Sequence, residues 1–143
     1  MENGHILSWV TYLPALVAAG IFLIPRRFVR AVQWTAFAGS CAVFLLSLRL
    51  AYRFDPSGSG MQFEESGAWI GTAIRHHLGI DGISLFLVLL TTFLTPLAIA
   101  ASLPPASGRP RAYTACLLML ETGMLGVFCA LDLVLFYVFW EVM

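Results

Sequence analysis

Residues 112–143 read AYTACLLMLETGMLGVFCALDLVLFYVFWEVM. Residues 112–130 form an apolar run broken by a single acid, Glu121. After a polar interruption at Asp132 a second run opens, and it carries one more acid, Glu141. A membrane-crossing helix needs roughly 20 mostly apolar residues to cover about 30 Å of hydrocarbon. The first run meets that length, so the stretch predicts one helix, a tight turn near Leu131 and a second helix running back. Upstream, residues 6–24, 31–50 and 83–103 repeat the same apolar signature. The predicted fold class is an all-α integral membrane bundle: four complete transmembrane helices plus a partial fifth over 131–143, forming one membrane region.

Composition agrees with that solvent. The chain is 59% hydrophobic and 11% charged, whereas soluble domains carry about a quarter charged residues. All eight basic residues are arginines and eight acids balance them. No basic tract or charge block argues for nucleic acid or disorder. Cys41, Cys116 and Cys129 are odd in number and set in apolar runs, which suits packing and neither a disulfide framework nor a zinc site.

Charge becomes informative by position. Arg26, Arg27 and Arg30 follow the first run, and Arg109 and Arg111 sit among prolines after the third. Short arginine-bearing connections belong on the cytoplasmic side. That puts the N-terminus, the segment 52–80 and the turn at Asp132 outside. Within this outer segment a DPSGSG cluster precedes MQFEES and TAIRHHL, two loosely alternating stretches that predict a short β-hairpin on the membrane surface. Asp81, just before the third run, is a natural helix cap. Small residues Ala36, Gly39 and Ser40 in the second run, and Gly123 and Gly126 in the fourth, allow close helix approach. Pro14 and Pro96 lie inside spans and predict bends.

Glu121 and Glu141 are the acids far from either interface, and they are equidistant from Leu131. An antiparallel hairpin therefore brings them to similar depth. An ionised carboxylate there costs on the order of 3 kcal/mol, and no basic residue is available to match it, since every arginine lies in a loop or at a span end. Either the acids are protonated, as desolvation favours, or a partner lies elsewhere. Glu141 reads as an ion-path residue. Glu121 admits both that role and a structural hydrogen bond made in its protonated form. Asp132 reads first as a cap of the fifth helix and second as an ion entrance. Trp140, beside Glu141, is expected to pack inside the bundle, whereas Trp9, Trp34 and Trp69 suit an aromatic belt. His5, His76 and His77 fall at outer positions, which opposes bis-histidine haem binding.

A helix opening near Leu131 rises ~1.5 Å per residue and is about 15 Å deep at Glu141. The chain is therefore expected to be the N-terminal piece of a longer polypeptide. Two stretches, HLGIDGISLFLVLLTTFLTPLAI around Asp81 and LETGMLGVFCALDLVLFYVFWEVM, resemble the M subunit of proton-pumping NADH:quinone oxidoreductase, called subunit 4 in mitochondria. The resemblance implies an antiporter-like, proton-translocating subunit of the bacterial inner membrane, with neighbouring membrane-arm subunits and the lipid bilayer as partners. It implies that Glu141, in the FWE string, belongs to a proton path and pairs with a lysine on a later helix. NADH, FMN, iron–sulfur clusters and quinone are expected to belong to other subunits, and this chain by itself is expected not to pump. Rival expectations are a sodium/proton antiporter subunit and a small four-span scaffold or assembly protein.

Overall fold

The structure, a computed structural model, describes residues 5–25, 27–56, 58, 60–70, 74–102 and 110–143. Arg26, Arg109, the centre of the hairpin link and the Trp69 side chain lie outside the described part. The elements in chain order are α1 (Ile6–Ile21), α2 (Val29–Arg53), β1 (Gln62–Ile70), β2 (Ile74–Ile80), α3 (Gly82–Ala101), α4 (Pro110–Cys129) and α5 (Leu133–Val142).

Three helices, α2, α3 and α4, are long and apolar enough to cross a membrane. The chain is thus a multi-pass membrane protein. The first apolar run behaves differently from the expectation of a complete helix over 6–24. Pro25 disfavours helical geometry at Ile24, and α1 ends at Ile21 after 16 residues. Tighter three-residue turns then carry Phe22, Leu23 and Ile24, whose amides donate to Ala19, Gly20 and Ile21 at 3.0–3.2 Å. Pro14 and Pro96 are accommodated inside α1 and α3.

The helices alternate in direction, which divides the bundle into two ends. At one end Arg111 reaches from the start of α4 to the Phe22 carbonyl past the end of α1, and its guanidinium lies 4.8 Å from the Phe22 ring centroid. Gln33 of α2 donates there to the Ser102 carbonyl at 3.3 Å. Arg27 and Arg30 belong to this end as well.

The opposite end is closed by the antiparallel hairpin β1–β2. One extra residue interrupts the ladder between Gln62 and Glu65, which pair with Ile80 and Leu78, and Phe63 sits there at φ 56°. Such a bulge kinks a strand and re-aims the side chains after it. The root of β2 also reaches the α4–α5 link: the Leu131 amide donates to His77 O at 2.9 Å. Leu78 and Ile80 are fully buried with Leu7, Val10, Leu125 and Cys129. The hairpin is therefore packed into the bundle at its root, with its side chains contributing to the core.

Candidate functional site

The two intramembrane acids are carried by the α4–α5 pair. At Gly126 any side chain would run into the Phe139 ring, and at Gly123 a Cβ would come within 3.0 Å of Met143 Cα. These glycines let α5 lie close along α4, as the small-residue spacing predicts. The same two contacts set Glu141 level with Met124 and Leu125, about one helical turn of 5.4 Å or less from Glu121.

The acids nevertheless do not share a face. Glu121 is 0% exposed. Helix α5 buries Leu135 and Phe139, and a residue two positions beyond Phe139 lies roughly 200° around the helix. Glu141 is accordingly exposed on the described fold. Similar depth therefore does not mean a shared face: Glu121 is enclosed, whereas Glu141 lies on the outer side of the described helices. The expectation for Trp140 is corrected: it is 53% exposed and stacks on Phe136 with ring centroids 6.0 Å apart.

Glu121 is enclosed within the bundle. Thr95 of α3 approaches it, yet the Thr95 hydroxyl donates to the Thr91 carbonyl at 3.0 Å. Thr92 donates to the Val88 carbonyl at 2.9 Å and lies 2.8 Å from the Ser47 hydroxyl of α2. Neither oxygen of Glu121 has a hydrogen-bond partner in the described structure, and the buried hydroxyls of Thr11 and Thr122 have none either.

The remaining acids serve helix ends. Asp132 caps α5, accepting from the Val134 and Leu135 amides at 2.9 and 3.2 Å. Asp81 caps α3, accepting from the Ser84 amide at 2.7 Å. That bond holds the Asp81 carboxyl below its ordinary value of 3.8. Glu65, which sequence reasoning missed, does the same for a helix it does not belong to. Its carboxylate accepts from the Leu7 amide at 2.7 Å and the Ser8 amide at 3.1 Å, and from the Ser8 hydroxyl. His5 Nδ1 stands 3.9 Å away. The one signal available was negative: the residue before α1 is His5, which makes no side-chain cap.

Beside this cap His76 Nε2 lies 3.0 Å from the Tyr12 hydroxyl, and His77 lies 3.5 Å from Glu64. Among the described residues no group of three or more His, Cys, Asp or Glu could hold a metal ion.

Comparison with known proteins identifies the family of the chain. The family described as NADH-ubiquinone oxidoreductase chain 4, amino terminus, matches residues 15–128. NADH-quinone oxidoreductase subunit M of Rhodobacter capsulatus is 44% identical over 145 residues, covering 99% of this chain and 28% of the relative. NADH-ubiquinone oxidoreductase chain 4 of Arabidopsis thaliana is 40% identical, covering 94% of this chain and 28% of its own length. Subunit M of Rickettsia felis is 33% identical, with 95% and 29% covered. The chain thus spans a little over a quarter of these relatives, and it belongs to the NADH-ubiquinone oxidoreductase chain 4 family, whose bacterial members are named NADH-quinone oxidoreductase subunit M.

Proposed function

We propose that this chain works as part of a proton-translocating, antiporter-like subunit in the membrane arm of NADH:quinone oxidoreductase. The observation that carries the reading is the match of nearly the whole chain to subunit M and chain 4 proteins. In this reading residues 1–143 are one membrane region of four complete spans, with α1 and its following turn serving as the first, and α5 as a partial fifth. The arginine end faces the cytoplasm of a bacterium and the hairpin end faces the periplasm, since Arg27, Arg30 and Arg111 gather opposite the hairpin. Redox cofactors and quinone sit on other subunits, so the contribution of this chain to the enzyme is ion movement. Neighbouring antiporter-like subunits are its partners.

Glu141 is the residue to which we assign the proton path. Its helix turns it away from α4, which leaves it free to meet a basic side chain from outside the described bundle. A carboxylate beside an ammonium raises the proton affinity of the ammonium, and separating the two lowers it. Motion of charge along the arm can thereby load and release protons. Asp132 is assigned to capping α5 rather than to an ion entrance, because its Oδ1 accepts from two amides of the first turn.

The test is Glu141→Gln in the full-length subunit within the assembled complex. Proton pumping by membrane vesicles should be nearly abolished while the complex still assembles. Normal pumping by an assembled variant would reject the assignment.

A further inference from the structure

The end of the bundle opposite the hairpin carries charge of one sign. Residues 3–54 and 82–120 contain no acid, so the arginines gathered at this end meet no carboxylate from the segments that build it. The nearest acid along α4 is Glu121, ten residues and about 15 Å from Arg111. Both ion pairs among the described residues, His5 with Glu65 and His77 with Glu64, lie at the hairpin.

Two of these arginines are seated on aromatic rings. Arg111 donates to the Phe22 carbonyl with its guanidinium 4.8 Å from the Phe22 ring centroid, and its Nε is buried without a hydrogen-bond partner in the described structure. Arg27 lies 4.8 Å from the Phe28 ring centroid. Arg30 is exposed in the first turn of α2, and Trp34, also exposed, follows one turn further on the same flank. Phe22, Leu23 and Phe28 are exposed as well. Planar guanidinium forks thus stand beside apolar surface, at the level where a membrane-spanning bundle meets the headgroups.

A phosphate that carries acyl chains satisfies both halves of this arrangement. Its oxygens match the guanidinium forks, and its chains cover the exposed rings. A soluble anion would answer the charge and leave the rings bare. We infer that this end of the bundle binds the headgroup of an anionic phospholipid, with Arg27, Arg30 and Arg111 donating to the phosphate and Phe22, Phe28 and Trp34 lying against the acyl chains. The inference needs the chain to lie in a membrane and is independent of the path assigned to Glu141, so either can fail while the other stands.

Native mass spectrometry of the purified full-length subunit in detergent, titrated with phosphatidylglycerol and separately with phosphatidylcholine of identical chains, tests this. Phosphatidylglycerol should be retained at concentrations where phosphatidylcholine is not, and inorganic phosphate at matched ionic strength should not displace it. Arg30→Gln should weaken retention roughly fivefold and the double change Arg27→Gln/Arg30→Gln roughly 25-fold, whereas Arg49→Gln, towards the other end of α2, should leave it unaltered. Arg111→Gln also releases the Phe22 carbonyl, so if that variant fails to fold the double change decides. Equal retention of the two lipids overturns the proposal, as does a preference that the double change leaves intact. Displacement by inorganic phosphate would reduce the site to one for a free anion and reject the lipid. In the assembled complex the double change should lower the phosphatidylglycerol that copurifies; an unchanged lipid content would mean that an acidic segment of a partner covers these arginines, and would reject the proposal.

Discussion

Helices α1 and α5 are the two short helices of the bundle, at 16 and 10 residues, and their first amides are satisfied in opposite ways. Helix α5 uses the residue immediately before it, Asp132. Helix α1 borrows Glu65 from the hairpin, 57 and 58 residues along the chain. Its far end is also held from outside, by the Arg111 guanidinium on the Phe22 carbonyl. An anion at the first turn and a cation past the last both complement the helix dipole. The contrast teaches that the first amides of α5 are capped from its own sequence, whereas those of α1 depend on the tertiary structure around it.

The strongest way to break this comparison is Glu65→Leu. Leaving two amides of a buried helix start without their charged acceptor should cost about 3 kcal/mol, read as a lower denaturation midpoint of the full-length subunit in detergent. Glu65→Gln should recover part of that loss. If Glu65→Leu unfolds at the parental midpoint, the hairpin is not what holds α1.

Asp132→Ala sharpens the other side. Losing a local cap should cost about 1 kcal/mol, and Asp132→Asn should cost close to nothing. A larger loss than that of Glu65→Leu, measured in the same titration, would invert the ranking of remote and local caps.

The smallest effect concerns Asp81, a second local cap. Its carboxyl is lowered from 3.8 chiefly by the Ser84 amide. A group depressed in the folded state contributes stability above its unfolded value, and that contribution fades as pH falls through the folded one. Exchange protection of the Ser84 amide should therefore hold from neutrality down to the ordinary carboxylate value and decline only below it. Protection falling at higher pH would mean that another group controls this helix start.

The same contrast explains what was legible in the sequence. Asp81 and Asp132 stand directly before apolar runs, so their capping follows from position alone. The close α4–α5 approach was readable from Gly123 and Gly126, and the hairpin from its turn residues. Glu65 gave no such signal, because a cap supplied from another element depends on a fold that periodicity does not encode. Glu121 and Glu141 were found as acids in apolar runs, yet equal spacing from Leu131 fixes depth and leaves facing open. Only the choice of Leu135 and Phe139 as the buried flank of α5 separates the enclosed acid from the exposed one. The shortening of α1 was written in Pro25, whose effect on the preceding residue a hydropathy run does not register.

The borrowed cap has a consequence in time. A chain emerging at roughly 5–20 residues per second presents Leu7 to the membrane about three to twelve seconds before the residue 58 positions later is made. Throughout that interval the first turn of α1 has no native acceptor, and water or lipid headgroups must stand in until the hairpin packs against it. Completion of the α1 cap in this way waits on delivery of the hairpin.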